Sequence, residues 1–292
     1  MDEVLELGPD SWRLGGHPWQ PEAAFYAVMG DPIAHSLSPV MQRAALVERE
    51  LDQQYFPLRI TAGQLRQLKN GPEGSLLSGF NVTAPLKEAV AALCDGRTDQ
   101  ARDLGAVNTV RVEDGKWMGH NTDSGGILTV LSQAWPEGEK PEEAVVLGAG
   151  GSARAAVDAL LRWEVPKITV QNRSATGQER ISNWLAGRRL QGKVKVEGLP
   201  SAPVAVAGCS KVWVCCLAGG VPVGKYLPED AGDHPVLLLD IRYGDQRPEE
   251  KLPDGFMFSD GLPVLMMQGG LSFAWWFGPP VPWQTMRDAL QG

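Results

Sequence analysis

The chain has 292 residues, 43% hydrophobic and 21% charged, so it can bury a sizeable core without disulfide or metal staples. Its formal net charge of −8, with Arg188, Arg189, Lys193 and Lys195 as the one tight basic group, argues against nucleic acid, which is bound by clustered Lys and Arg. An acidic N-terminus without an apolar signal region, no run long enough to span a membrane, four histidines without metal spacing and four cysteines without a CxxC pair lead to the expectation of a cytoplasmic protein with reduced thiols and no metal.

Residues 1–23 are rich in Gly, Pro and Trp and show no period; they read as an N-terminal extension whose tryptophans pack on the body. From there strand and helix signals alternate. Phe25 to Met29 predicts a strand, Pro39 opens a helix to about Glu50, Gln54 to Leu58 predicts a strand, and a helix follows near Ala62 to Leu68. Ser78 to Asn81 is the next strand, and Pro85 starts a helix. Ala106 to Val112 and Lys116 to His120 read as paired strands around Asp114-Gly115. A helix runs from about Ser124 to Gln133.

After the linker at residues 136–141 a second series begins. Strands are expected at Ala144 to Leu147, Lys167 to Gln171, Lys211 to Cys215 and Val236 to Asp240, with helices at Ser152 to Arg162 and Ala175 to Gly187. Two helices close the chain, Leu262 to Phe277 and Pro282 to Leu290. Repeated alternation of this kind predicts an α/β fold with parallel sheet.

Gly148-Ala149-Gly150-Gly151-Ser152-Ala153 directly follows a predicted strand and opens a predicted helix. In that context Gly148 permits the turn, Gly150 lets the backbone approach a pyrophosphate, and Ala153 lets the helix pack on the strand, so a dinucleotide is expected here. An acid about 20 residues on would bind the ribose hydroxyls of NAD. The next strand ends instead in Asn172-Arg173-Ser174, and Arg173 can pair with a 2′-phosphate, which favours NADP, with NAD as the alternative.

The first half carries the remaining polar groups. Ser36 and Ser38 precede a helix start, where each serves either as an N-cap or as part of an anion or hydroxyl site. Asn81 and Thr83 project to the same side of an extended segment. Lys87 stands in the first turn of a helix, where the dipole disfavours a cation, and a residue that breaks a local rule is a functional candidate. Asn108 lies in a strand, and Asp123 at a strand-to-helix junction, where capping is the simple reading.

Taken in order, residues 30–39 (Gly-Asp-Pro-Ile-Ala-His-Ser-Leu-Ser-Pro), Asn81-Val-Thr-Ala-Pro-Leu-Lys87, Gly105-Ala-Val-Asn-Thr109, Asn121-Thr-Asp123 and Gly148-Ala-Gly-Gly-Ser-Ala-Arg154 resemble the shikimate dehydrogenases. Asp260-Gly-Leu262, Gln268 and Met286-Arg-Asp-Ala-Leu290 continue the resemblance, which covers roughly residues 25–290. It implies a Rossmann-type NADP domain (residues 123–260) inserted into an α/β substrate-binding domain (1–122 and 261–292, with 1–23 as an extension). It implies NADPH-dependent, reversible reduction of 3-dehydroshikimate to shikimate in aromatic amino acid biosynthesis, by a monomer or homodimer. Lys87 and Asp123 would form the catalytic pair. Ser36, Ser38 and Tyr243 would hold the substrate carboxylate, and Asn81, Thr83, Asn108, Asp123 and Gln268 its ring hydroxyls. Residues 148–153, 172–174 and Gly261 would meet the cofactor.

The departures cluster in the cofactor half. Gly177 stands where the family has a second basic residue, although Arg180 is close; Cys215-Cys216-Leu217 replaces a polar Asn-Ala-Thr loop; and Pro248 and Pro253 shorten the helix expected after Tyr243. A quinate or related cyclic hydroxy-acid dehydrogenase, and a non-catalytic shikimate-binding paralogue, are the alternative readings. NAD-linked quinate oxidation would mark the first, and shikimate binding without NADP(H) binding the second.

Overall fold

The computed structural model describes residues 3–8, 11–200 and 208–291. Its elements begin with strands β1 (Leu5–Leu7), β2 (Trp12–Leu14), β3 (His17–Trp19) and β4 (Phe25–Gly30), helix α1 (Ser38–Glu48), β5 (Tyr55–Arg59), α2 (Leu65–Asn70) and β6 (Leu77–Val82). Next come α3 (Lys87–Leu93), β7 (Gly96–Arg97), α4 (Asp99–Leu104), β8 (Thr109–Glu113), β9 (Lys116–His120) and α5 (Asp123–Ala134). Then follow β10 (Glu143–Leu147), α6 (Gly151–Arg162), β11 (Lys167–Asn172), α7 (Ala175–Gly187), β12 (Val194–Gly198), β13 (Lys211–Cys215), β14 (Val236–Asp240), β15 (Met257–Ser259), α8 (Leu262–Phe277) and α9 (Trp283–Gln291). The chain divides into two compact units, Met1–Thr122 with Gln268–Gly292, and Asp123–Met267.

In the first unit the described strands form one sheet in the order β3-β2-β1-β5-β4-β6-β8-β9-β7. The middle strands β5, β4 and β6 are parallel, and β8 joins β6 antiparallel. Phe25, Met29, Leu58, Phe80, Val82, Val90 and Trp117 form part of its buried core. Asp114 and Gly115 both have positive φ at the β8–β9 turn, the conformation that suits a two-residue hairpin.

The N-terminal segment is not the aperiodic extension that the sequence predicts. β1 pairs in parallel with β5, placing Leu5 beside Leu58, and β2 and β3 fold back as a hairpin. Its two-residue loop is Gly15-Gly16, both at positive φ, a conformation glycine adopts without steric cost. Three-residue strands are too short to show a period, so pairing with β5, not pattern, creates them. The tryptophans do pack on the body: Trp12 and Trp19 each meet Phe25 edge-on at 5.7 Å.

On β9, His120 stacks on Trp275 and its Nδ1 lies 2.9 Å from the Thr98 hydroxyl. Burial pushes its pKa below the ordinary 6.5. The unfolded chain therefore binds the proton first as pH falls, so this group's contribution to stability is complete above 6.5 and is lost on acidification toward the lower folded value. A His120→Gln variant is expected to show a shallower fall of Tm with acid than the parent; equal slopes would contradict this.

The second unit is a parallel sheet in the order β12-β11-β10-β13-β14-β15. Counted from β10, that is the doubly wound order 3-2-1-4-5-6, whose switch point lies between β10 and β13. Ala153, Ala156, Leu160, Ile181 and Leu185 from α6 and α7 belong to the buried cluster on one face. Trp213, Cys215, Val223, Tyr226 and Leu227 belong to the other. Among the described residues, the stretch between β14 and β15 holds a short 3-10 turn, Gly244–Gln246, and no α-helix, in line with Pro248 and Pro253.

Candidate functional site

At the switch point Gly148 adopts φ +118°, and a Cβ there would stand 2.7 Å from the Cys216 carbonyl oxygen, so this turn requires glycine. A Cβ on Gly150 would meet nothing within 4 Å, so the surface beside it is open. α6 has Gly150 as its N-cap, which offers no side chain to the first-turn N–H groups, and its first turn holds no acid. Uncapped donors and the positive helix end suit a diphosphate. Ala149 and Ala153 are buried, while Gly151 and Ser152 are half-buried.

β11 leads into Asn172, Arg173 and Ser174. The Ser174 hydroxyl caps α7 by accepting the Gly177 N–H at 3.1 Å. Asn172 Nδ2 donates to the Ser174 carbonyl (3.1 Å) and hydroxyl (3.2 Å). A Cβ at position 177 would fall 2.1 Å from Asn172 Nδ2, so a side chain there would require the Asn172 amide to shift. Arg173 is exposed. The nearby acid on the adjacent strand, Glu197, accepts from Gln171 (2.9 Å) and pairs with Lys195 (2.5 Å). Those bonds, Lys195 first, hold its carboxyl below the ordinary range. An exposed Arg173 and a Glu197 already paired fit the extra phosphate of NADP.

The stretch after β13 and Cys215-Cys216-Leu217 is tied down by a buried ion pair. Arg242 and Asp240 are buried and form a bidentate pair, Nε to Oδ1 at 2.8 Å and Nη2 to Oδ2 at 2.7 Å. Arg242 Nη1 then donates to the carbonyls of Ala218 (3.1 Å) and Val221 (2.6 Å). The Gly261 N–H donates to the Arg242 carbonyl at 3.0 Å, and a Cβ on Gly261 would lie 2.1 Å from the Ile241 oxygen. Arg242 thus ties the 218–221 loop to the chain carrying Tyr243 and Gly261. Tyr243 lines a cavity of about 630 Å³ with Arg247 and four carboxylates, Asp245, Glu249, Glu250 and Asp260, a charge unsuited to phosphate. All four cysteines are free thiols, and burial, then the Asp240 charge, pushes Cys215 up to about 12.

In the first unit, loops leaving the carboxyl ends of adjacent parallel strands β4 and β6 carry the predicted polar residues. The N-cap position of α1 is Leu37, and Ser36 Oγ accepts the N–H of the helix's first residue, Ser38, at 3.3 Å. The Thr83 N–H donates to the Met29 carbonyl (2.9 Å), and its methyl lies 2.5 Å from where a Gly30 Cβ would stand. α3 opens at Lys87 itself, whose carbonyl accepts the Val107 N–H at 3.0 Å; Asn108 follows in the bend just before β8, not within a strand as the sequence predicts.

Buried Asn81 and Asn108 and half-buried Gln268 come together as one polar cluster. Asn108 Oδ1 accepts from the Thr122 N–H and the Thr109 hydroxyl, each at 2.9 Å. Its Nδ2 donates to Thr122 Oγ1 (2.8 Å) and Gln268 Oε1 (3.1 Å). Asn81 Oδ1 accepts the Tyr55 hydroxyl at 2.7 Å, and its Nδ2 donates to Ser272 Oγ at 3.0 Å. Asp123 is buried at the start of α5, immediately after Thr122 in the chain. Sequence reasoning missed Tyr55, Arg242 and Ser272. Among the described residues, no group of three or more His, Cys, Asp or Glu is arranged to hold a metal ion, and no helix is long and apolar enough to cross a membrane.

A family model for the shikimate dehydrogenase substrate binding domain matches residues 28–110. The chain is 37% identical over 280 residues to a shikimate dehydrogenase (NADP(+)) of Anaeromyxobacter sp., covering 91% of this chain and 95% of that one. A solved shikimate dehydrogenase from Aquifex aeolicus superimposes with a TM-score of 0.75 at 29% identity, covering 94% of this chain and 100% of that one. A shikimate 5-dehydrogenase from Thermus thermophilus, solved with NADP(H) and shikimate, superimposes with a TM-score of 0.70 at 28% identity, covering 92% and 98%.

Proposed function

The chain belongs to the shikimate dehydrogenase family, and from that premise we propose that it catalyses the NADPH-dependent, reversible reduction of 3-dehydroshikimate to shikimate in the cytoplasm. The observation that carries the reading is the polar cluster of Asn81, Asn108 and Gln268 joined to the backbone of Lys87. Converging amides suit a ring with several hydroxyls, and a lysine ammonium suits a carbonyl oxygen that gains a proton.

Bound NADPH supplies the hydride. In reduction Lys87 Nζ gives its proton to the carbonyl oxygen, and in oxidation it takes the proton back; its charge offsets the alkoxide that develops between. Asp123 orients that ammonium and accepts from a ring hydroxyl. Ser36, Ser38 and Tyr243 hold the carboxylate, and Asn81, Thr83, Asn108 and Gln268 hold the ring hydroxyls. Residues 148–153 cradle the diphosphate, Asn172, Arg173 and Ser174 receive the 2′-phosphate end, and Gly261 borders the cofactor. The residue types and the open Gly150 surface support these assignments.

The test is steady-state oxidation of shikimate and of quinate, each with NADP and with NAD. The shikimate–NADP pair is expected to give the highest kcat/KM, and a higher value with quinate or NAD would overturn the reading. Arg173→Ala is expected to raise the KM for NADP by roughly ten- to a hundredfold, the worth of a charge-assisted bond, while leaving the KM for NAD nearly unchanged. Equal losses with both cofactors would deny Arg173 its phosphate role.

A further inference from the structure

We propose that Ser272, backed by Tyr55, is a positioning residue that fixes the orientation of the substrate-binding amides Asn81, Asn108 and Gln268. The inference rests on the functional reading above.

Ser272 lies on α8, which presents mostly apolar side chains, and is fully buried. Its hydroxyl is 2.7 Å from Thr109 Oγ1, 2.9 Å from the Gln268 carbonyl, 3.0 Å from Asn81 Nδ2 and 3.2 Å from Thr122 Oγ1. One hydroxyl has one proton and two acceptor lone pairs, so the directions can be counted. Thr109 gives its proton to Asn108 Oδ1, so the one Ser272 proton is shared between Thr109 Oγ1, at the shorter distance, and the Gln268 backbone carbonyl. Ser272 in turn accepts from Asn81 Nδ2 and from the Thr122 hydroxyl.

The bonds then run one way. Tyr55 donates to Asn81, Asn81 to Ser272, Ser272 to Thr109, Thr109 to Asn108, and Asn108 to Gln268 Oε1. Every amide in this relay has its oxygen and nitrogen ends assigned by its neighbours. Reversing any one would set donor against donor or acceptor against acceptor in a buried site, which costs the full desolvation of the orphaned groups. Gln268 is thereby held with its oxygen toward Asn108, and its Nε2 is committed to donating elsewhere. Asn81 Nδ2 also reaches Thr109 Oγ1 directly at 3.2 Å, and Ser272 adds a second link between Asn81, on β6, and Thr109, on β8, from a helix near the other end of the chain.

Ser272→Ala and Tyr55→Phe each delete one oxygen and leave the surrounding carbon packing in place. Ser272→Ala is expected to raise the KM for shikimate about tenfold, the effect of losing one well-made hydrogen bond at the amides, with the KM for NADP within about twofold of the parent. Tyr55→Phe shifts the shikimate KM the same way, and the double variant falls short of the product because both act through Asn81. A merely structural role would lower Tm in both variants and leave the shikimate KM unchanged, which overturns the proposal. Should Ser272→Ala not fold, Tyr55→Phe decides by the same criterion. A parent chain that does not turn over shikimate sinks the functional reading and this inference with it; parent turnover with unchanged KM in the variants sinks this inference alone.

Discussion

Replacing Lys87 with alanine is expected to lower kcat for shikimate oxidation by about a thousandfold, in the range a positioned acid–base group supplies, while shikimate still binds within about threefold of its original affinity. The split follows from the cluster geometry. Asn81, Asn108 and Gln268 are held by one another and by Ser272, Thr109 and Thr122. The lysine joins that assembly through its backbone carbonyl, a bond alanine keeps. Alanine also suits the first turn of α3 better than a cation does, so stability should hold or rise slightly. Stopped turnover with calorimetric shikimate binding retained is the expected outcome. A near-normal kcat would remove Lys87 from the chemistry.

Arg242→Met is expected to destabilise the second unit by about 3–5 kcal/mol, because it leaves the buried Asp240 carboxylate without its partner. Removing both charges, in Asp240→Leu with Arg242→Met, should recover most of that loss, since the cost lies in the orphaned charge more than in the missing pair. The two variants separate folding from function. Both release the carbonyls of Ala218 and Val221, so both should bind NADP more weakly, although only the single variant is strongly destabilised. Calorimetric unfolding with NADP titration reads both quantities. Equal stability of the single and double variants would contradict the account.

What the sequence made legible was local. Gly148, Gly150 and Ala153 sit between an apolar strand and a helix, a context legible from the residues on either side of them. The α7 boundaries were readable because Ser174 caps the helix three residues before Gly177. Lys87 stood out because it contradicts the dipole of its own helix. What stayed hidden depends on partners far along the chain. Ser272 is 191 residues from Asn81, and within α8 it looks like an ordinary small residue on an apolar helix. Arg242, two residues after Asp240, reads as an exposed cation at a strand end until the 218–221 loop folds over it. β1, β2 and β3 have too few residues for alternation to register. Position 177 reads as a lost basic residue, whereas the structure shows the space taken by Asn172.

The division of the chain into a continuous second unit and a first unit drawn from both ends bears on how the protein is made. A ribosome delivers residues 1–122 first, but their polar cluster is incomplete until Gln268 and Ser272 emerge near the very end. Asn81, Thr109 and Thr122 can pair with Tyr55, Asn108 and one another before then, and the bonds to Gln268 and Ser272 come last. The continuous unit has all its strands before then and can close as a single folding body. Cofactor-binding competence accordingly precedes substrate-binding competence in the life of each molecule. Nascent chains truncated before residue 268 would be able to hold the dinucleotide while remaining blind to shikimate.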